Sequence, residues 1–293
     1  MLSANKGAAA VYNFNQIMIK KQYFNIPGAK GRGMLMDLTF DDTLKKAPMV
    51  VFAHGFKGFK DWGSHNLVAH YFAENGFRFL KFNFSHNGTT VAHPTDFADL
   101  IAFADNTFSM ELDDLNAVID FACGGSAMPS EPWVYLIGHS MGGGLSIVKT
   151  AEDVRIKKLV TMASISGFRN LWAREIEQQW RLQGITYVLN KRTGQELPLK
   201  KTLLEDLDKN PARLDIIAKA KEIKQPWLIV HGDADLTVPL SCAEELKTAQ
   251  PGAELVVIPG ADHTFGSSQP YLGTALPPLL EEFCRQSVLF LNK

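Results

Sequence analysis

The chain has 293 residues, 46% of them hydrophobic, enough for the large buried core of an α/β domain with an insertion. Its 30 basic and 31 acidic residues nearly cancel, and there is no long basic run with interleaved aromatics, so nucleic acid is not an expected partner. No window approaches a membrane span, and three widely spaced cysteines, Cys123, Cys242 and Cys284, favour reduced thiols over a disulfide framework.

Residues 1–15 hold only the short apolar run Ala8-Ala9-Ala10-Val11, too brief for a secretory h-region, and the expected location is cytoplasmic. Residues 17–26 and 34–40 alternate as paired strands around turn material at Pro27-Gly28 and 31–33. A buried strand at 49–53 leads into His54-Gly55-Phe56-Lys57-Gly58, followed by a helix over 65–75 closed by Gly76 and a strand over 77–84. An irregular loop is expected from Ser85 through Asp105, then a helix over 110–122. Strands at 133–137, 159–163, 227–230 and 255–258 and a closing helix over 277–291 complete an α/β pattern. It implies a mostly parallel central sheet flanked by helices, with ligands at the carboxyl edge.

Segment 166–224 lies between two strands yet is longer than a crossover requires. Its content is mainly helical, with a hairpin over 186–197 turning at Arg192-Thr193-Gly194. The expected organisation is a core of residues 1–165 and 225–293 with a cap at 166–224. Leu171, Trp172, Ile176 and Trp180 fall near one helical face; their simplest role is to bury the cap, and Trp172 and Trp180 are also candidates to line a substrate pocket.

Chemistry concentrates at strand ends. Gly138-His139-Ser140-Met141-Gly142 follows the apolar run at 133–137 and precedes two more glycines, so a strand ends, the chain turns sharply at Ser140, and a helix begins. That context makes Ser140 a nucleophile candidate. Asp233 and Asp235 follow the strand at 227–230, and His263 follows the one at 255–258, so carboxylate and base candidates come after the serine in chain order. The glycine-bearing turn after 49–53 aims the backbone N–H of Phe56 at a developing oxyanion, with the N–H of Met141 as second donor. His54 reads as a brace for that turn, and Asp262, adjacent to His263, as a poor orienter. Lys57, Lys60 and Asp61 read as a solvated loop, and His86 and Asn87 stay outside the site. His65, His70, His86 and His93 lack ligand spacing, so neither a metal nor a cofactor is expected.

On these motifs the chain resembles the serine hydrolases of the α/β-hydrolase superfamily. Within it, His54-Gly55-Phe56, the Ser140, Asp235 and His263 motifs and the cap-sized insertion are similar to cinnamoyl/feruloyl esterases and dienelactone-hydrolase-like acyl esterases. The resemblance implies an α/β-hydrolase fold and selects Asp235 over Asp233, giving Ser140, Asp235 and His263 as triad. It implies hydrolysis of a carboxylic ester of a small or medium acyl or aromatic acid through an acyl-enzyme, with a small-molecule ester as partner. A thioesterase, acyltransferase or peptidase on the same scaffold is the alternative, and a non-catalytic binding protein a third. Oligomeric state is not legible.

Overall fold

The computed structural model describes residues 17–125 and 131–293, so the run Ala8-Ala9-Ala10-Val11 lies outside it. Eight strands form one sheet: β1 (Ile19–Pro27), β2 (Gly33–Asp41), β3 (Met49–Ala53), β4 (Arg78–Phe82), β5 (Val134–His139), β6 (Ile156–Met162), β9 (Trp227–Gly232) and β10 (Glu254–Ile258). Their spatial order is β1-β2-β4-β3-β5-β6-β9-β10, antiparallel at the β1/β2 and β2/β4 pairings and parallel thereafter. The fold is the expected one: a mostly parallel sheet covered by helices on both sides.

Strand periodicity explains the two layers. In β3, Val50 and Phe52 point to one core while Met49, Val51 and Ala53 point to the other; in β9, Leu228 and Val230 alternate in the same way with Trp227 and Ile229. The first core is closed by α1 (His65–Glu74) and α9 (Pro278–Leu291), through Phe72, Phe283 and Val288. The second is closed by α3 (Phe108–Cys123), α4 (Met141–Glu152) and α8 (Leu240–Ala249), through Leu115, Leu145 and Leu246. The central strands β3, β4 and β9 are therefore buried on both faces, which is why these runs read as continuous apolar stretches, while the edge strands β1 and β10 are not.

The stretch expected to be loop through Asp105 contains a helix, α2 (Leu100–Asp105). The Asp99 side chain caps it by accepting from the Ala102 N–H at 2.9 Å. Six residues are too few to show a helical period, so the cap was the legible sign.

Segment 166–224 holds α5 (Ile176–Gln183), a hairpin of β7 (Ile185–Asn190) and β8 (Gln195–Lys200), α6 (Thr202–Lys209) and α7 (Ile216–Glu222). Of these, α7 packs between α4 and α8, and Ile216 reaches α4 at Gly144, where a Cβ would press against it. It serves as the crossover helix of the sheet. The remainder rests on the core through aromatic stacking, Phe108 on Phe168 with centroids 4.2 Å apart, and through α2, where Lys200 pairs with Asp105 at 2.5 Å.

One smaller reading changes. Lys60 is not solvated: it is 4% exposed and joins Asp37, Asp61 and Lys81 in a largely buried ionic cluster, because Asp37 of β2 and Lys81 of β4 meet Lys60 and Asp61 of the turn after β3. Cys242 and Cys284 are buried free thiols and Cys123 is half-buried. Among the described residues no helix is long and apolar enough to cross a membrane.

Candidate active site

At the end of β5 the chain turns through Ser140 with φ +56° and ψ −118°, an unfavourable conformation for a non-glycine residue that typically costs about 1–3 kcal/mol. The Ser140 N–H donates to the Met162 carbonyl at 2.9 Å, and α4 starts at Met141. Gly142 permits the turn, since a Cβ there would collide with the carbonyls of Ala53 and His54 at the end of β3. That close approach sets the β3 turn beside Ser140: a Cβ on Gly55 would lie 3.0 Å from the serine Cβ.

Ser140, His263 and Asp235 come together in one hydrogen-bonded line. His263 Nε2 lies 3.0 Å from Ser140 Oγ, and His263 Nδ1 lies 2.7 Å from Asp235 Oδ2. Asp235 Oδ1 accepts the N–H groups of Thr237 at 2.8 Å and Val238 at 2.9 Å, which fixes its carboxylate after β9. Burial opposes ionisation of Asp235, yet hydrogen bonds from His231 and His263, with His263 charge and the Val238 N–H, hold its carboxyl far below the usual range. The carboxylate is therefore ionised throughout the range in which a histidine titrates.

The neighbouring acids do different work. Asp233 accepts the Gly260 N–H at 2.6 Å, bracing the loop after β10. Asp262 accepts the N–H groups of Thr264 and Gly266, shaping the turn that carries His263. Neither reaches the imidazole.

Around the serine, the N–H groups of Phe56 and Met141 donate to no other group among the described residues. Both are available to an oxygen above Ser140. His54 is 1% exposed, its Nδ1–H donates to the Gly55 carbonyl at 2.9 Å, and Asn87 donates to its Nε2 at 3.4 Å. Burial pushes its pKa down to about 4, so it stays neutral and braces the turn. Asn87 thereby supports the site from behind, also donating to the Gly58 carbonyl at 3.3 Å. His86 is tied to Ser85 instead, at 2.7 Å.

The part taken by His139 has no signature in the sequence. Its Nε2–H donates to the His263 carbonyl at 2.9 Å, and burial with the adjacent His263 pushes its pKa down to about 3. A neutral imidazole thus pins the loop that presents His263.

A cavity of about 290 Å³ opens over Ser140 and His263. Its apolar wall includes Phe56, Phe59 and Trp62, and its rim is the β7–β8 tip, Asn190, Lys191 and Arg192, together with Lys57. Trp172 and Trp180, candidates to line a substrate pocket, do not line it. Trp180 is 1% exposed and packs edge-on to Trp172 at 5.3 Å, while Trp172 stacks on Phe108 and donates to Glu177 at 3.0 Å. The expected common helical face is not formed, because Trp172 lies in extended backbone ahead of α5, which carries only Trp180, and the pocket is left to the hairpin tip. Among the described residues no group of three or more His, Cys, Asp or Glu is placed to hold a metal ion.

A family described as alpha/beta hydrolase fold matches residues 48–193. Est1E from Butyrivibrio proteoclasticus is 20% identical with a TM-score of 0.65, covering 92% of this chain and 99% of its own. A structure of Est1E with ferulic acid bound gives 21% and 0.67 over 92% and 98%. A putative hydrolase from Agrobacterium vitis S4 gives 16% and 0.68 over 93% and 99%. No curated protein matches. At these identities the likeness is one of fold.

Proposed function

For a chain with the α/β-hydrolase fold, we propose a serine esterase that cleaves carboxylic esters of small or medium acyl groups through an acyl-enzyme on Ser140. The observation that carries this reading is the hydrogen-bonded line from Asp235 through His263 to Ser140, at 2.7 and 3.0 Å, beside two unengaged backbone N–H groups. His263 Nε2 takes the Ser140 proton as Oγ attacks the acyl carbonyl, and the Phe56 and Met141 N–H groups receive the oxyanion. His263 then passes that proton to the leaving alkoxide. Water, deprotonated by the same nitrogen, attacks the acyl-serine, and collapse of the second tetrahedral species releases the acid and restores Ser140. Asp235 holds Nδ1–H throughout and stabilises the imidazolium without taking its proton.

The fold relatives include a putative hydrolase and a protein with ferulic acid bound, which is consistent with this chemistry. The cavity is large enough for a compact leaving group, and segment 166–224 acts in this reading as a cap whose hairpin tip shapes the entrance. Reaction with a fluorophosphonate, mass mapping of the adduct and turnover of a graded set of esters and matched thioesters test the proposal. The adduct is expected on Ser140, with esters turned over faster than thioesters. An adduct elsewhere, or full activity in Ser140→Ala, overturns it.

A further inference from the structure

The cavity over Ser140 carries more charge than ester cleavage uses. Lys57, from the turn after β3, and Lys191 and Arg192, from the β7–β8 tip, stand on its wall, and among the described residues no aspartate or glutamate does. Lys57 directly follows Phe56, so one turn supplies both a proposed oxyanion donor and a cation. Its Nζ donates to the Leu189 carbonyl of β7 at 3.4 Å, which brings the core turn and the hairpin together at the rim.

None of the three has a carboxylate partner among the described residues. The rest of the insertion behaves differently: Arg169 holds Glu177 and Asp208, Arg181 pairs with Asp208 at 2.7 Å, and Lys200 pairs with Asp105 at 2.5 Å. Burial and the charge of Lys191 lower the Lys57 pKa from its ordinary value, so like charges face each other at the rim with no counter-charge. Asn190 adds a neutral donor. It is 8% exposed and lines the same cavity, and its Nδ2 is buried without a hydrogen-bond partner among the described residues. A buried donor left unpaired is costly and marks a place where something from outside the chain completes the bond. Cations short of a counter-charge and a donor short of an acceptor ask for the same thing, a negatively charged oxygen.

We infer that Lys57 and the hairpin tip bind an anionic group carried by the ester itself, so that the substrates are esters bearing a carboxylate or a phosphate away from the scissile bond, an inference that rests on the serine-esterase reading. Arg192 offers a planar fork suited to either group, and the two lysines act as point charges. The anion docks at the mouth, Phe56, Phe59 and Trp62 cover the carbon skeleton, and the carbonyl lies against Ser140. The anion is held equally in the bound ester and in the transition state, so its recognition acts on KM.

Phenyl butyrate and phenyl hexanoate serve as neutral references in the test. Against the first stand 3-carboxyphenyl butyrate and 3-phosphonooxyphenyl butyrate, with the anion on the alcohol side; against the second stands monophenyl adipate, with a carboxylate on the acyl side. All are measured on the full chain and on the double variants Lys191→Gln/Arg192→Gln and Lys191→Glu/Arg192→Glu, beside fluorophosphonate labelling of Ser140. At least one anionic ester is expected to exceed its reference by about tenfold in kcat/KM, carried mainly in KM, and to lose most of that advantage at about 1 M salt, where the screening length falls to about 3 Å. The ester that leads identifies the group and the side that carries it. The glutamine pair removes most of the preference and the glutamate pair turns it towards the neutral ester; both positions are exposed at a hairpin tip, so the fold tolerates the change. Anionic esters all within about twofold of their references in the unmodified protein overturn the inference. A preference that survives the glutamate pair overturns it equally. Absence of both labelling and turnover of every ester, neutral ones included, is a different outcome, in which the serine-esterase reading itself fails and takes the inference with it.

Discussion

Replacing Asp235 with asparagine tests the site where its geometry is most constrained. The aspartate side chain is fully buried and both oxygens are committed, Oδ1 to the Thr237 and Val238 N–H groups and Oδ2 to His263. An asparagine has one acceptor atom, and the two backbone N–H groups hold it in the Oδ1 position. Its amide nitrogen then faces His263 Nδ1 and can only donate, so Nδ1 becomes an acceptor and the imidazole proton moves to Nε2. That tautomer donates towards Ser140 and cannot take its proton. Elsewhere the equivalent change lowers kcat by about 10⁴, or about 5 kcal/mol in the barrier. A similar loss is expected here, with KM little changed and the melting temperature shifted by only a few degrees. Steady-state kinetics on a chromogenic ester, beside Asp233→Asn as control, provide the assay. An Asp235→Asn enzyme within tenfold of the parent kcat, or an Asp233→Asn enzyme equally impaired, refutes the reasoning.

Gly142→Ala should destabilise the protein or abolish labelling of Ser140, because the added methyl meets the Ala53 and His54 carbonyls; thermal melts and labelling read both. Trp180→Ala should lower stability by roughly 3–5 kcal/mol in denaturant unfolding and leave the ranking of esters unaltered, since the indole is buried away from the pocket. Glu111 gives a pH signature: its folded pKa, raised to about 8, lies above its unfolded value near 4, so the folded state binds the extra proton between those values. Its contribution is complete below about pH 4 and declines as pH rises to about 8; melting curves at pH 5, 6, 7 and 8 should show Glu111→Gln losing less stability over that interval than the parent. Parallel curves would contradict the assignment of a buried neutral carboxyl.

The sheet was legible because its central strands are buried on both faces and lead into turns with little freedom, as at Gly55. The candidate site was legible because its residues sit within five positions past strand ends, where the topology brings them to one edge. His139 and the hairpin tip were not. Nothing about a histidine before the nucleophile foretells a bond to a carbonyl 124 residues away, since that contact depends on how two loops approach in space. The hairpin itself could be read from Arg192-Thr193-Gly194, but which face of the insertion meets the core is decided by packing of Phe108, Phe168, Trp172 and Trp180. Apolar spacing grouped Trp172 and Trp180 with Leu171 and Ile176 on one face and could not tell a wall from a foundation.

The ionic cluster beneath the β3 turn ties parts of the molecule with very different standing in the topology. Asp37 belongs to β2, in the antiparallel pair at the sheet's outer margin, yet it holds Lys60, four residues beyond Phe56, at 2.6 Å, and Lys81 at 2.7 Å. The Lys60 backbone is held as well, donating to Asn83 at 2.6 Å. The N-terminal hairpin is in this sense a guy-rope for the turn that presents the Phe56 N–H. A truncation that removed β1 and β2 would spare every residue proposed for proton transfer, and the slackened turn would surface as weaker hold on the oxyanion, a defect of rate originating at the edge of the sheet.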